Sequence, residues 1–141
     1  MDNILVPIDG LQDAGRIAAR LSALQRQGAI RVHLLSVQPP FNSHVAKYFG
    51  AVELRRFHDE DARRELEPLQ RLLREAGIAF TSRVEVGHYA DTVSRVAREL
   101  RCRHILMQDQ PANLLSRLVL GSLASQVQHL MANTETACDV I

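Results

Sequence analysis

The chain has 141 residues, with 17 Lys and Arg against 16 Asp and Glu. A near-neutral chain of this length fits one domain and carries no net field that would draw it to nucleic acid or to an anionic membrane. Its 46% apolar content supports a sizeable core, and its 4% aromatic content leaves no platform for stacking single-stranded bases.

Ile4-Leu5-Val6-Pro7-Ile8 reads as a short buried strand that ends in a turn at Asp9-Gly10. Ala14, Ile17, Ala18, Leu21 and Leu24 recur at helical spacing, and Gly28 stands where a left-handed residue would cap the helix. Val32–Val37 is a second strand, stopped by Pro39-Pro40, which completes a βαβ unit. Residues 41–56 read as a long connection with a little helix. An amphipathic helix is expected over Phe57–Ala76, closed by Gly77, with Leu66, Leu69, Leu72 and Leu73 on one face and Pro68 as a kink or a second start. Ile78–Val86 alternates as a third strand ended by Gly87, and Asp91 is the expected N-cap of a helix carrying Val93, Val96, Ala97 and Leu100. His104–Met107 reads as a fourth strand, 108–121 as a loop, Ser122–Met131 as a helix, and Cys138–Ile141 as the start of a fifth strand.

This order implies an α/β fold of three layers, an open five-stranded parallel sheet with helices on both faces, in a single domain over 1–141. Ligands of such sheets sit beyond the carboxyl ends of the strands, near the switch in strand order. Pro7, Asp9 and Gly10, then Val37 and Gln38, then the loop after Met107 should meet there. Gly121-Ser122 would open a helix whose free N–H groups suit an anion, although taken alone it reads first as an ordinary helix cap.

The sequences Val6-Pro7-Ile8-Asp9-Gly10, Gly87, and Leu115-Ser116-Arg117-Leu118-Val119-Leu120-Gly121-Ser122 occur together in one arrangement. In this the chain resembles the universal stress protein family over nearly its whole length. The resemblance implies a Rossmann-like fold of the adenine nucleotide alpha hydrolase type. It also implies a cytoplasmic protein, commonly a homodimer joined through its last strand, and a family in which some members bind ATP and others do not. By the same resemblance Asp9 would face the adenosine, Val37 would back the base, Met107 would lie at the pocket edge, and Gly121-Ser122 would meet phosphate. Pro7 and Leu123 complete the candidate set.

Family members that bind ATP carry a glycine, two residues, a second glycine, nine residues, then Gly-Ser or Gly-Thr. Here Gln108 and Pro111 stand at the two glycine positions. Proline has no N–H to donate and fixes φ, whereas glycine lets the backbone approach a phosphate closely. Asp109 adds a like charge, which at about 6 Å and an effective dielectric of about 20 repels by about 3 kcal/mol. A lost charge-assisted hydrogen bond costs about 1.5–3 kcal/mol more. The expectation is a non-enzymatic stress-response homodimer with a vestigial nucleotide pocket and weak or absent ATP binding, requiring no cofactor. The alternative is an AMP- or ATP-binding sensor with slow phosphate release, because Asp9 and Gly121-Ser122 are kept and, with Arg117, could still hold one phosphate.

The remaining polar residues carry less. The six histidines form no metal-binding pair at helical spacing. His88 belongs either to the pocket rim or to a solvated loop, and His104 and His129 are expected to be structural or exposed. His58-Asp59-Glu60-Asp61 reads as the acidic first turn of a helix. Arg55-Arg56 and Arg63-Arg64 alternate with acids, as on a solvent face rather than a nucleic-acid surface. Cys102 and Cys138 are too few for a disulfide framework and fit reduced thiols. No apolar run is long enough to span a membrane, and Met1-Asp2-Asn3 leads into the first strand without a signal-peptide pattern.

Overall fold

Among its described residues the computed structural model runs through β1 (Asp2–Ile8), α1 (Ala14–Gln27), β2 (Ile30–Gln38), α2 (Ser43–Ala46), α3 (Ala51–Glu75), β3 (Phe80–Val86), α4 (Tyr89–Glu99), β4 (His104–Ile105) and β5 (Asp139–Val140). The structure describes residues 1–8, 13–107, 127, 129–131 and 139–141. The expected turn at Asp9-Gly10, the loop 108–121, most of the helix from Ser122 and Cys138 lie outside the described residues.

The strands form one parallel sheet in the order β3-β2-β1-β4-β5. Side chains of successive β1 residues point to opposite faces. Ile4, Val6 and Ile8 pack with Val32 and Leu34 against α1 and α3, while Leu5 and Leu35 pack against α4 and against Val127 and Met131. The five-stranded, two-faced architecture expected from the sequence is therefore present.

Several boundaries differ from expectation for local reasons. α1 is capped at its start by Asp13, whose carboxylate accepts from the Arg16 N–H at 3.3 Å. Its end at Gly28 is extended, at φ 172°, and not left-handed. α3 begins six residues before Phe57, and its first turns bury nothing, so no apolar stripe announced them. His58 to Asp61 consequently lie well inside the helix rather than in its first turn, and His58 is buried with its ring 4.3 Å from that of Phe41. The helix runs on through Pro68, which has no N–H to give to the helical ladder.

α3 does end at Gly77, at φ 70°. The Gly77 N–H donates to the Arg74 carbonyl and the Ile78 N–H to that of Leu73, a Schellman closure that plugs buried Ile78 into the core. Ile78 therefore belongs to the helix stop, and β3 starts at Phe80. α4 is capped by His88, not Asp91, which sits in the first turn, where a carboxylate favours the helix dipole. β4 pairs only through Ile105, short of the expected Met107.

Two polar clusters tie the layers together. His33, buried in β2, accepts at Nδ1 from the Thr81 hydroxyl (2.8 Å) and donates from Nε2 to Asn3 Oδ1 (3.2 Å), which joins three strands. Burial, then the nearby Arg31 charge, hold its pKa below the usual histidine value. At the free edge, Arg83 and Arg95 both bond to Glu85 and Glu99, at 2.7 to 3.2 Å. Such a charged edge strand discourages pairing with other sheets.

Two predictions follow from this architecture. α4 closes with the same pair of backbone bonds as α3, but through Arg101 at φ 51°. A non-glycine residue there is strained, so Arg101→Gly should stabilise the fold by about 1 kcal/mol in a denaturant titration. The second concerns acid. Hydrogen bonds from Arg83 and Arg95 hold Glu99 below the ordinary carboxyl range; at Glu85 burial opposes ionisation, but the same two arginines outweigh it. Stability from this ring is complete above the unfolded value of about 4.3 and is lost as pH falls through the lower folded values. The wild type should therefore lose more Tm between neutral pH and about pH 3 than the Glu85→Gln/Glu99→Gln variant.

Candidate functional site

The winding of the sheet reverses at β1. The chain steps outward from β1 to β2 and β3, then returns to lay β4 along the other side of β1. The carboxyl end of the sheet at such a reversal, beside β1 and β4, is the natural ligand position of an open parallel sheet.

Pro7 lies toward that end of β1. The carbonyls of Asn3 and Leu5 accept from the N–H groups of Arg103 and Leu106, both at 2.8 Å, so odd-numbered β1 residues turn their backbone groups toward β4. The missing N–H of Pro7 falls on that side, past the last paired residue, Ile105. A proline is tolerated here because no N–H is called for at this position by the β1–β4 ladder of the described residues, which pairs no further than Leu5 with Ile105.

Pro7 is buried, while Val37 and Met107 are half-buried. Val37 and Met107 pack against the cluster of Leu5, Leu35, Val93 and Ile105 on the α4 face, the face that Pro7 shares with Leu5 by alternation. The Met107 N–H reaches across to the Ile141 carbonyl at 3.2 Å. Three sequence candidates thus share one face of the carboxyl edge. Asp9, Gln108, Pro111, Gly121, Ser122 and Leu123 lie outside the described residues, as do Asp109 and Arg117.

The rim on the β3 side is held by Gly87, whose N–H donates to the Gln38 carbonyl at 3.0 Å. A Cβ at Gly87 would come within 2.6 Å of Thr92 Oγ1, so a larger residue here would have to displace the buried Thr92 hydroxyl. His88 is exposed beside it.

Sequence reasoning missed one group at this edge. Ser36 and Gln38 are buried on the α3 face of β2, where Val32 and Leu34 precede them. Both donate to the Glu65 carboxylate of α3, Ser36 at 2.9 Å and Gln38 at 3.2 Å, and Gln38 also donates to Ser36 Oγ at 2.8 Å. Glu65 also lines a small cavity of about 70 Å³ with Ile8, Ala14, Ile17 and Leu69. The available signal was two polar residues at alternate positions of an otherwise apolar strand face. The triad braces the end of β2 against α3, which keeps the wall at this edge in place.

Chemically, the described part of the edge offers an apolar wall and fixed backbone. Among the described residues no cluster of His, Cys, Asp or Glu is placed to hold a metal ion, and no helix is long and apolar enough to cross a membrane. Cys102 is buried. Glu65→Ala would strand two buried donors and should cost about 1–3 kcal/mol of unfolding free energy, measured by denaturant titration.

Comparison with known proteins places this geometry. No curated protein matches the chain. Among solved structures, the hypothetical protein MJ0577 superposes with a TM-score of 0.73 at 22% identity, over 99% of this chain and 94% of that one. A universal stress protein in complex with cAMP gives 0.65 at 14% identity, over 99% and 96%. A family protein from Arabidopsis thaliana with AMP bound gives 0.63 at 13%, over 100% and 91%. These likenesses are of fold. The model of the universal stress protein family matches residues 1–132; with its five-stranded parallel sheet and its switch point at β1, the chain belongs to the universal stress protein family.

Proposed function

We propose that this protein is a non-enzymatic stress-response protein, a single domain that acts by protein–protein contact as a homodimer and binds ATP weakly or not at all. Family membership supports the stress-response role. The observation that carries the rest is in the sequence: Gln108 and Pro111 occupy the positions at which ATP-binding members have glycines. Pro111 removes a backbone donor, and a side chain at each position bars the close approach a polyphosphate needs. Short β5, at the end of the sheet, is the edge through which the homodimer would form.

The second reading is an adenine-nucleotide sensor with slow phosphate release. It is favoured by the AMP and cAMP complexes of two structural relatives and by the presence of Asp9, Arg117 and Gly121-Ser122 in this sequence. A monophosphate makes fewer demands on the loop than a triphosphate, so AMP suits this chain better than ATP.

Calorimetric titration of the purified protein with ATP and with AMP, with and without magnesium, separates the two. Loss of the glycine loop should weaken ATP by a factor on the order of 10³ or more relative to an intact site. A micromolar ATP Kd would overturn the first reading. Failure of both nucleotides to bind, together with no nucleotide absorbance near about 260 nm after denaturing the protein, would remove the second.

A further inference from the structure

We propose that the first half of α3 is a self-association surface on which a second copy of this chain docks its own α3, antiparallel, across a two-fold axis. α3 has 25 residues, about 37 Å at about 1.5 Å per residue, whereas the seven residues of β3 span about 23 Å. The surplus lies at the start of the helix. Nearer its end, one stripe of α3 is taken up by β3: Gln70 Nε2 donates to Ser82 Oγ at 2.7 Å, and the Arg74 guanidinium lies 5.5 Å from the centre of the Phe80 ring. Followed back at helical spacing, the stripe continues through Arg63, Asp59, Arg56 and Val52, all exposed. With Arg55 and half-buried Glu60 these residues line a shallow trough of about 400 Å³.

The trough is complementary to its own image. Positions 52 and 63, 55 and 60, and 56 and 59 share one midpoint, between Phe57 and His58. A two-fold axis at that level sets Arg55 against Glu60 of the second copy, Arg56 against Asp59, and Val52 against the aliphatic stem of Arg63, each contact occurring twice. Arg56, Glu60 and Arg63 have no ion-pair partner among the described residues, and the one pair inside the trough, Arg55 to Asp59, is exposed and long at 3.9 Å. Exposed ion pairs contribute little singly; apolar area beside them supplies the rest. Val52 is 84% exposed and Tyr48, just before the helix, 74%. Nucleic acid or an anionic membrane would meet Asp59 and Glu60 as repulsion, whereas a second copy meets them with arginine.

Sedimentation equilibrium at low salt tests this with the whole chain, the charge-reversed variants R55E/R56E and D59R/E60R, and their equimolar mixture. The wild type should have at least twice the mass of either variant, the mixture should recover the higher mass, and salt of about 0.5 M should weaken wild-type association. Equal masses for the wild type and both variants, or a mixture that stays at the mass of its components, would overturn the proposal. Recovery in the mixture also demonstrates that the variants fold. A dimer formed separately through β5 would be common to the wild type and the variants and would raise the wild-type ratio to two or more without abolishing the difference; nucleotide affinity does not enter the comparison.

Discussion

The rest of the structure depends on β1 being hydrogen-bonded on both edges and covered on both faces. Ile4, Leu5 and Val6 have no exposed surface, and each such side chain contributes about 1.5–3 kcal/mol through burial. A strand in that position is where the winding of the chain must reverse, so its carboxyl end becomes the point at which loops part. Among the described residues the β1–β4 ladder pairs Ile4 and Leu5, whereas β1 runs on to Ile8.

Around that strand, interior polar groups act as ties that hold the register. Asn3, His33 and Thr81 form a row across β1, β2 and β3, and the Asn3 amide also donates to the Leu100 carbonyl at the end of α4. At the other end of β2, Ser36 and Gln38 are satisfied by Glu65. A slip of one residue in any of these strands would turn these groups to the wrong face and leave them unpaired, a larger penalty than the loss of an apolar contact. The carboxyl edge is therefore rigid on the β2 and β3 side, which is a property a ligand wall or a docking scaffold needs.

The frame of the family and the chemistry of its loop are separable in this chain. The fold is retained at 22% identity or less to the solved relatives. In an open parallel sheet a ligand site draws on the segments that follow the strands rather than on the strand core. A fold does not by itself fix the site placed on it, because core packing and ligand contact draw on different residues. The long α3 shows a similar division: Ala62, Leu66, Leu69 and Leu73 belong to the core, while Arg56, Glu60 and Arg63 earlier in the helix have no ion-pair partner among the described residues.

Much of the architecture was legible in the sequence. Apolar runs of strand length alternating with helical stripes led to the parallel sheet, the helix coverage of both faces and the switch point, since burial on a sheet or a helix imposes a period that a single chain displays. Gly77 announced the end of α3 because a left-handed residue was required there. The family resemblance likewise rested on local strings of residues. The start of α3, the role of Ile78, the N-cap at His88 and the triad of Ser36, Gln38 and Glu65 were decided by tertiary structure. Each depends on what lies across space: an overhanging helix buries no stripe to read, a closing motif needs a core to plug, and Glu65 stands 29 residues from Ser36 along the chain. Sequence periodicity reports which face of an element is buried; only packing determines what that face meets.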